Sequence, residues 1–174
     1  MEKILKEKLV YDGKVFKVFS NTVLCEGERE CYRDIVAHNG GVGVLPLDDE
    51  GYVYLVKQFR SGAGEHLIEI PAGKLELAEE HFECAVRELS EETGFTANAL
   101  KYIGFLYPTP AYDTEKIHIY IATGLIPGDA HPDDGEELEM IRIKLSDAVQ
   151  MTENGEITDA KTVIALLRAE RELR

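Results

Sequence analysis

The spacing of apolar and polar positions changes from strand-like to helical and back along this chain, and the changes mark out its elements. The first 40 residues read as strands. "KVFKVFSNTVL" (Lys14 to Leu24) and "ECYRDIVAH" (Glu30 to His38) flank the turn-like "CEGERE", which predicts a hairpin. "GGVGVLPL" reads as a buried strand and "DDEG" as a turn. "YVYLVKQFR" (Tyr52 to Arg60) follows as a strand carrying Val53, Leu55 and Val56. Beyond the connection "SGAGEH", "LIEIPAG" is a short strand that should break at Pro71 and Gly73.

From about Ala78 to Thr93 the pattern is helical: Phe82, Ala85, Val86 and Leu89 recur at spacings of three and four, an apolar stripe. Gly94 stands where a helix C-terminus wants a left-handed residue. Strands follow at "LKYIGFLY" and "KIHIYIATG", separated by "PTPAYDTE". The acidic loop "PGDAHPDDGEE" leads to a last strand, "LEMIRIKL". A short helix opened by Ser146 and a longer one from about Asp159, with Thr158 as its N-cap, close the chain. Strands dominate and helices interrupt them. The expected class is mixed α/β, a mixed sheet packed between helices.

At 174 residues and 44% hydrophobic content, one domain with a sizeable core is the simplest organisation. No apolar run approaches the roughly 20 residues that cross a bilayer. The start, "MEKILKEKLVYDG", lacks the apolar stretch of a signal peptide, so the expectation is a cytoplasmic protein without a membrane partner. Cys25, Cys31 and Cys84 are widely spaced and odd in number, which suggests free thiols. A formal net charge of -14 argues against nucleic-acid binding, which runs on Lys and Arg neutralising phosphates. A small phosphorylated substrate would need cations supplied locally.

Glu88, Glu91 and Glu92 concentrate that question. At about 100° per residue they fall within one helical arc, beside the apolar stripe, and like charges at this spacing repel. Either water screens them or something positive sits among them. Hard divalent cations want such oxygen clusters, Mg²⁺ taking one or two carboxylates together with waters and phosphate oxygens.

Upstream residues extend the pattern. Gly73, Glu79, Arg87, Glu88, Leu89, Glu91, Glu92, Gly94 and Phe95 stand as Gly-x5-Glu-x7-Arg-Glu-Leu-x-Glu-Glu-x-Gly-Phe. Chance agreement at one start point is on the order of 10⁻⁹. This resembles the signature box of the Nudix hydrolases, complete at every specified position. The resemblance implies an α/β/α sandwich with a loop–helix–loop that binds Mg²⁺ or Mn²⁺ and hydrolyses a nucleoside diphosphate linked to another moiety. Glu88 and Glu92 would be the principal ligands, Glu91 joining when several metals bind, and Ala72 would offer its backbone carbonyl. Arg87 and Glu79 would brace the loop–helix–loop as an ion pair, with Gly73 and Gly94 as box positions.

Further segments resemble the ADP-ribose pyrophosphatase branch: "EIPAGKLE", "YRDIVAHNGGVGVLPL", "VYLVKQFR" and "ITDAKTVIALL". Pro110 lies 16 residues beyond Gly94, at the family's substrate-marking position, and Glu115 stands where the branch keeps a glutamate near the terminal ribose. Ala111 departs from the branch, which has Gly there. Arg33 and Arg60 match substrate-contacting basic positions, and guanidinium forks suit diphosphate oxygens. Phe16, Phe19 and Tyr32 are the candidates to stack on the base. The general base would come from "HPDDGEELE", with Glu136 first, Glu137 second, and Asp134 and Glu139 behind. His118 and Cys84, isolated on apolar elements, read as packing residues. By resemblance, residues 1–40 form an N-terminal strand extension that crosses to a neighbour in a homodimer, and 41–174 form the Nudix domain. The implied substrate is ADP-ribose; alternatives are another nucleotide sugar such as GDP-mannose, or a non-catalytic nucleotide-binding regulatory module.

Overall fold

The computed structural model describes residues 2–26, 28–132, 135 and 137–173. The chain divides into two compact units, residues 1–40 with 107–116, and residues 41–106 with 117–174. In the first, β1 (Lys3–Asp12), β2 (Lys17–Cys25) and β3 (Arg29–Ala37) form an antiparallel sheet in that order. Every residue of β1 is exposed, Ile4, Leu5, Leu9, Val10 and Tyr11 among them. The loop after Tyr107 runs beside β3: Val36 N–H donates to Tyr112 O (2.7 Å) and Thr114 N–H to Val36 O (3.0 Å).

Cys25 and Cys31 are joined as a disulfide, their Cα atoms 6.2 Å apart. This corrects the expectation of free thiols for that pair. The β2–β3 register places Cys31 opposite Val23 and Cys25 opposite Arg29, so the hairpin brings together two cysteines that spacing along the chain does not relate. Cys84 is free and buried, and burial pushes its thiol up to about 12.

The second unit holds β4 (Gly41–Pro46), β5 (Tyr52–Arg60), β6 (Glu65–Glu69), β7 (Ala72–Lys74), α1 (His81–Thr93), β8 (Thr96–Leu106), β9 (Ile117–Ile126), β10 (Glu139–Lys144), α2 (Leu145–Glu153) and α3 (Ala160–Leu173). A four-stranded sheet runs β7-β4-β9-β8, with β4 and β9 parallel and the other pairs antiparallel. A three-stranded antiparallel sheet runs β10-β5-β6. Alternation along β4 and β9 sorts the core. Val42, Val44, Tyr120 and Ala122 meet Cys84, Ala85 and Leu89 of α1. Leu45, Ile119 and Ile121 face the other way, onto Val53 and Leu55 of β5, Ala148 of α2, and Ala165 and Leu166 of α3. Burying a Leu or Ile side chain fully is worth about 1.5–3 kcal/mol, so this double-faced core carries most of the stability. The result is the mixed sheet between helices that the strand and helix periods imply.

Four local expectations need correction. α1 starts at His81 rather than Ala78, because Ala78 sits in the left-handed region (φ 65°) and interrupts the turn before it. Its buried face holds Cys84, Ala85, Glu88, Leu89 and Glu92, while Phe82 and Val86 are 51% and 43% exposed. The helix is thus rotated to turn two carboxylates inward. α3 is capped by Asp159, not Thr158: Thr162 N–H donates to Asp159 Oδ2 (3.0 Å). α2 begins at Leu145 without a side-chain cap, and Ser146 Oγ instead meets Asp147 Oδ1 (3.2 Å). Gly94 does end α1 in the left-handed region (φ 73°), its N–H returning to Ser90 O.

Candidate active site

β7 is the edge strand on which the site is laid. Pro71 separates it from β6, but Gly73 does not break it: Gly41, Val42 and Gly43 of β4 pair with Lys74, Gly73 and Ala72. Pro71 O accepts from Val44 N–H (2.8 Å), so the next N–H, that of Ala72, points away from β4. It donates to Glu92 Oε2 (3.1 Å). In extended backbone a residue's N–H and C=O leave on the same side, so the Ala72 carbonyl faces the Glu92 side as well. Glu88 reaches β7 one residue on. A Cβ at Gly73 would stand 1.8 Å from Glu88 Oε1, so only glycine admits this carboxylate against the strand.

Arg87 is the positive group among the box carboxylates. It forks onto Glu79, Nε to Oε1 (2.9 Å) and Nη2 to Oε2 (3.0 Å), as the ion-pair expectation required. It also donates through Nη1 to Glu88 Oε1 (2.6 Å) and Glu91 Oε2 (2.9 Å), and through Nη2 to Lys74 O (3.2 Å). One guanidinium therefore ties the loop before the helix, the strand and two of three candidate ligands together. The Arg87 hydrogen bonds hold Glu79 down at about 2.

The donor set fits a hard divalent cation. Glu88 and Glu92 are only 8% and 7% exposed, both lie against the β7 backbone, and a carbonyl oxygen faces the same side. Among the described residues, no three His, Cys, Asp or Glu side chains are already gathered as a cation cage. Two carboxylates and a carbonyl suffice for Mg²⁺, which keeps waters and phosphate oxygens for its other positions.

Arg60 is not the solvated strand-end arginine that its position allows. Its Nε and Nη2 donate to Glu69 Oε1 and Oε2, both at 2.7 Å, and the negative charge of Glu92 also acts on it. Burial pushes the Glu69 carboxyl up, yet Arg60 and Lys161 outweigh burial and hold it below its ordinary value.

Of the acidic loop, Glu136 and Asp134 lie outside the described residues. Glu137 and Glu139 line a cleft of about 550 Å³ with Lys57, His66, Pro132 and Leu138. The start of this loop is tied to α1, His131 N–H donating to Glu91 O (2.8 Å).

Arg33, Pro110 and Glu115 belong to the first unit. Arg33 pairs with Glu2 and donates to Tyr32 O (2.9 Å). Pro110 sits in a turn closed by Asp113 N–H to Thr109 O (3.0 Å). Glu115 Oε1 lies 3.5 Å from His38 Nδ1. Among the described residues only Glu28 and Ala78 take positive φ without being glycine, so Ala111 fits its loop without strain. Phe16 packs on Tyr11 (5.7 Å between centroids), Tyr32 is 76% exposed and Phe19 is partly buried.

His118 packs, as expected, but in a cluster that sequence reasoning missed. It stacks on His81 at 4.0 Å, and Tyr102 OH lies 3.1 Å from its Nδ1. Glu69 and Lys161 were also missed. The charge of "EIPAG" and "DAKT" inside otherwise apolar segments was the available signal.

A family model described as the NUDIX domain matches residues 37–166. Over 167 residues the chain is 38% identical to an ADP-ribose pyrophosphatase of Bacillus subtilis (strain 168), covering 95% of this chain and 90% of the relative. It is 34% identical, with the same coverage, to the methanol dehydrogenase activator of Bacillus methanolicus. A solved structure described as that of an ADP compounds hydrolase superposes with a TM-score of 0.88 at 26% identity, covering 99% of this chain and 94% of that one.

Proposed function

The chain belongs to the Nudix hydrolase family, and from that premise we propose that it hydrolyses the diphosphate bond of ADP-ribose, giving AMP and ribose 5-phosphate with Mg²⁺ as cofactor. The observation that carries the metal reading is the seating of Glu88 and Glu92 on the β7 backbone, where Gly73 leaves room and Ala72 turns its carbonyl to the same side. The substrate follows from the ADP-ribose pyrophosphatase that the chain matches over nearly its whole length.

Glu88, Glu92 and the Ala72 carbonyl hold the cation, with Glu91 available to a further one. Mg²⁺, when bound, supplies positive charge to the diphosphate and makes water a better nucleophile at neutral pH. Arg87 keeps Glu88 and Glu91 in place and offsets their repulsion. Arg60, fixed by Glu69, presents its guanidinium to the diphosphate. A carboxylate of the acidic loop, Glu136 or Glu137, removes the proton of the attacking water. Arg33, Pro110 and Glu115 are the remaining proposed substrate contacts, on the resemblance of their segments to the branch.

A homodimer completes the proposal. Its support is β1, an edge strand on which Ile4, Leu5, Leu9, Val10 and Tyr11 are all exposed. Hydrolysis of ADP-ribose and GDP-mannose side by side tests the substrate: ADP-ribose should have the higher kcat/KM. A preference for GDP-mannose would keep the metal site and discard the branch.

A further inference from the structure

Glu69, 1% exposed, lies between two cations. Arg60 reaches it from β5 with Nε and Nη2, and Lys161 Nζ donates to its Oε2 from the first turn of α3. Lys161 is itself buried and pairs with Asp159 Oδ1 at 3.1 Å. Asp159 also caps α3, accepting the Thr162 N–H and hydroxyl. Thr162 Oγ1 in turn accepts from Ile70 N–H (2.8 Å), which ties α3 to the strand leading into Ala72.

Glu69 by itself does not require the second cation. One forked arginine already pairs Glu69, and burying a lysine beside it carries a desolvation cost that an apolar residue would avoid. Arg60 and Glu69 alone are neutral together. Asp159 adds a second negative charge, so the four groups are neutral together with Lys161 and net negative without it. Of the two cations Arg60 is the one open to a ligand, its side chain 40% exposed against 9% for Lys161.

We propose that Lys161 is a positioning residue for diphosphate binding, which by offsetting Glu69 and Asp159 keeps net negative charge from building up behind the fixed Arg60 guanidinium and so lets it meet an anion. This rests on Arg60 contacting the diphosphate, as proposed above. Calorimetric titration with ADP in EDTA tests it on wild type, Arg60→Ala, Lys161→Met, the double variant and Lys161→Arg, each checked by thermal melt. Arg60→Ala and Lys161→Met should each weaken ADP on the order of tenfold, the loss typical of a charged hydrogen bond. The double variant should be no weaker than Arg60→Ala, and Lys161→Arg should restore binding. Lys161→Gln, which keeps a donor and drops the charge, replaces the Met variant if that fails to fold. Additive losses, or unchanged ADP affinity in Lys161→Met while Arg60→Ala weakens it, overturn the role of Lys161. Unchanged affinity in Arg60→Ala, or no ADP binding by the wild type, overturns the Arg60 reading and this one with it.

Discussion

Glu88 and Gly73 claim the same space: a Cβ at residue 73 would stand 1.8 Å from Glu88 Oε1. The glycine is required by this contact and not by a left-handed backbone, since its φ is not among the positive ones. Gly73→Ala should therefore push Glu88 off the strand. The clash meets only the far end of a flexible side chain, which can swing aside, so the Tm should change little. Turnover should fall far more than the melt implies, because a displaced carboxylate misplaces the cation.

Glu92→Gln separates fold from chemistry. The amide is nearly isosteric, and its oxygen can still accept the Ala72 N–H that Glu92 accepts at 3.1 Å. The melt should be near that of wild type while turnover drops by about two or more orders of magnitude, as expected when charge at a catalytic centre is lost. Near-normal turnover at saturating Mg²⁺ would remove Glu92 from the metal site.

Arg87 predicts an acid limb of stability. Its hydrogen bonds lower the Glu79 carboxyl from 4.5 to about 2. A depressed carboxylate stabilises the fold above its unfolded pKa and loses that contribution as pH falls through the folded one. Wild type should thus lose stability between about pH 4.5 and 2 relative to Arg87→Gln. Urea midpoints across that window measure it, and parallel profiles would contradict it.

The exposed β1 face predicts the oligomer. Leu5→Glu with Leu9→Glu places charge on two exposed apolar positions that support no core. Light scattering should find wild type at twice the 19.5 kDa chain mass and the double variant at the chain mass. A wild-type monomer would end the dimer proposal.

Residues whose partners lie close along the chain were legible in the sequence. Glu88, Glu91 and Glu92 share one arc by helical spacing alone, and the box resemblance pairs Arg87 with Glu79, which meet across a single loop. Partners set by tertiary register were not. Nothing in the spacing of Cys25 and Cys31 announces their pairing, which the β2–β3 ladder decides. The β5–β6 register sets Arg60 opposite Glu65, yet its side chain reaches along the ladder to Glu69, and Lys161 joins from 92 residues away. The stripe reading of α1 failed for a related reason. Phe82 and Val86 are as apolar as Ala85 and Leu89, but seating Glu88 and Glu92 on β7 rotates them outward.

The central claim is metal-dependent cleavage of ADP-ribose, and product analysis tests it most directly. Purified protein is incubated with ADP-ribose, with Mg²⁺ and then with EDTA, and the products are separated by chromatography. AMP and ribose 5-phosphate should appear together with Mg²⁺ and stop with EDTA. ADP-ribose that binds yet survives intact in Mg²⁺ would contradict the account and mark a nucleotide-binding module instead.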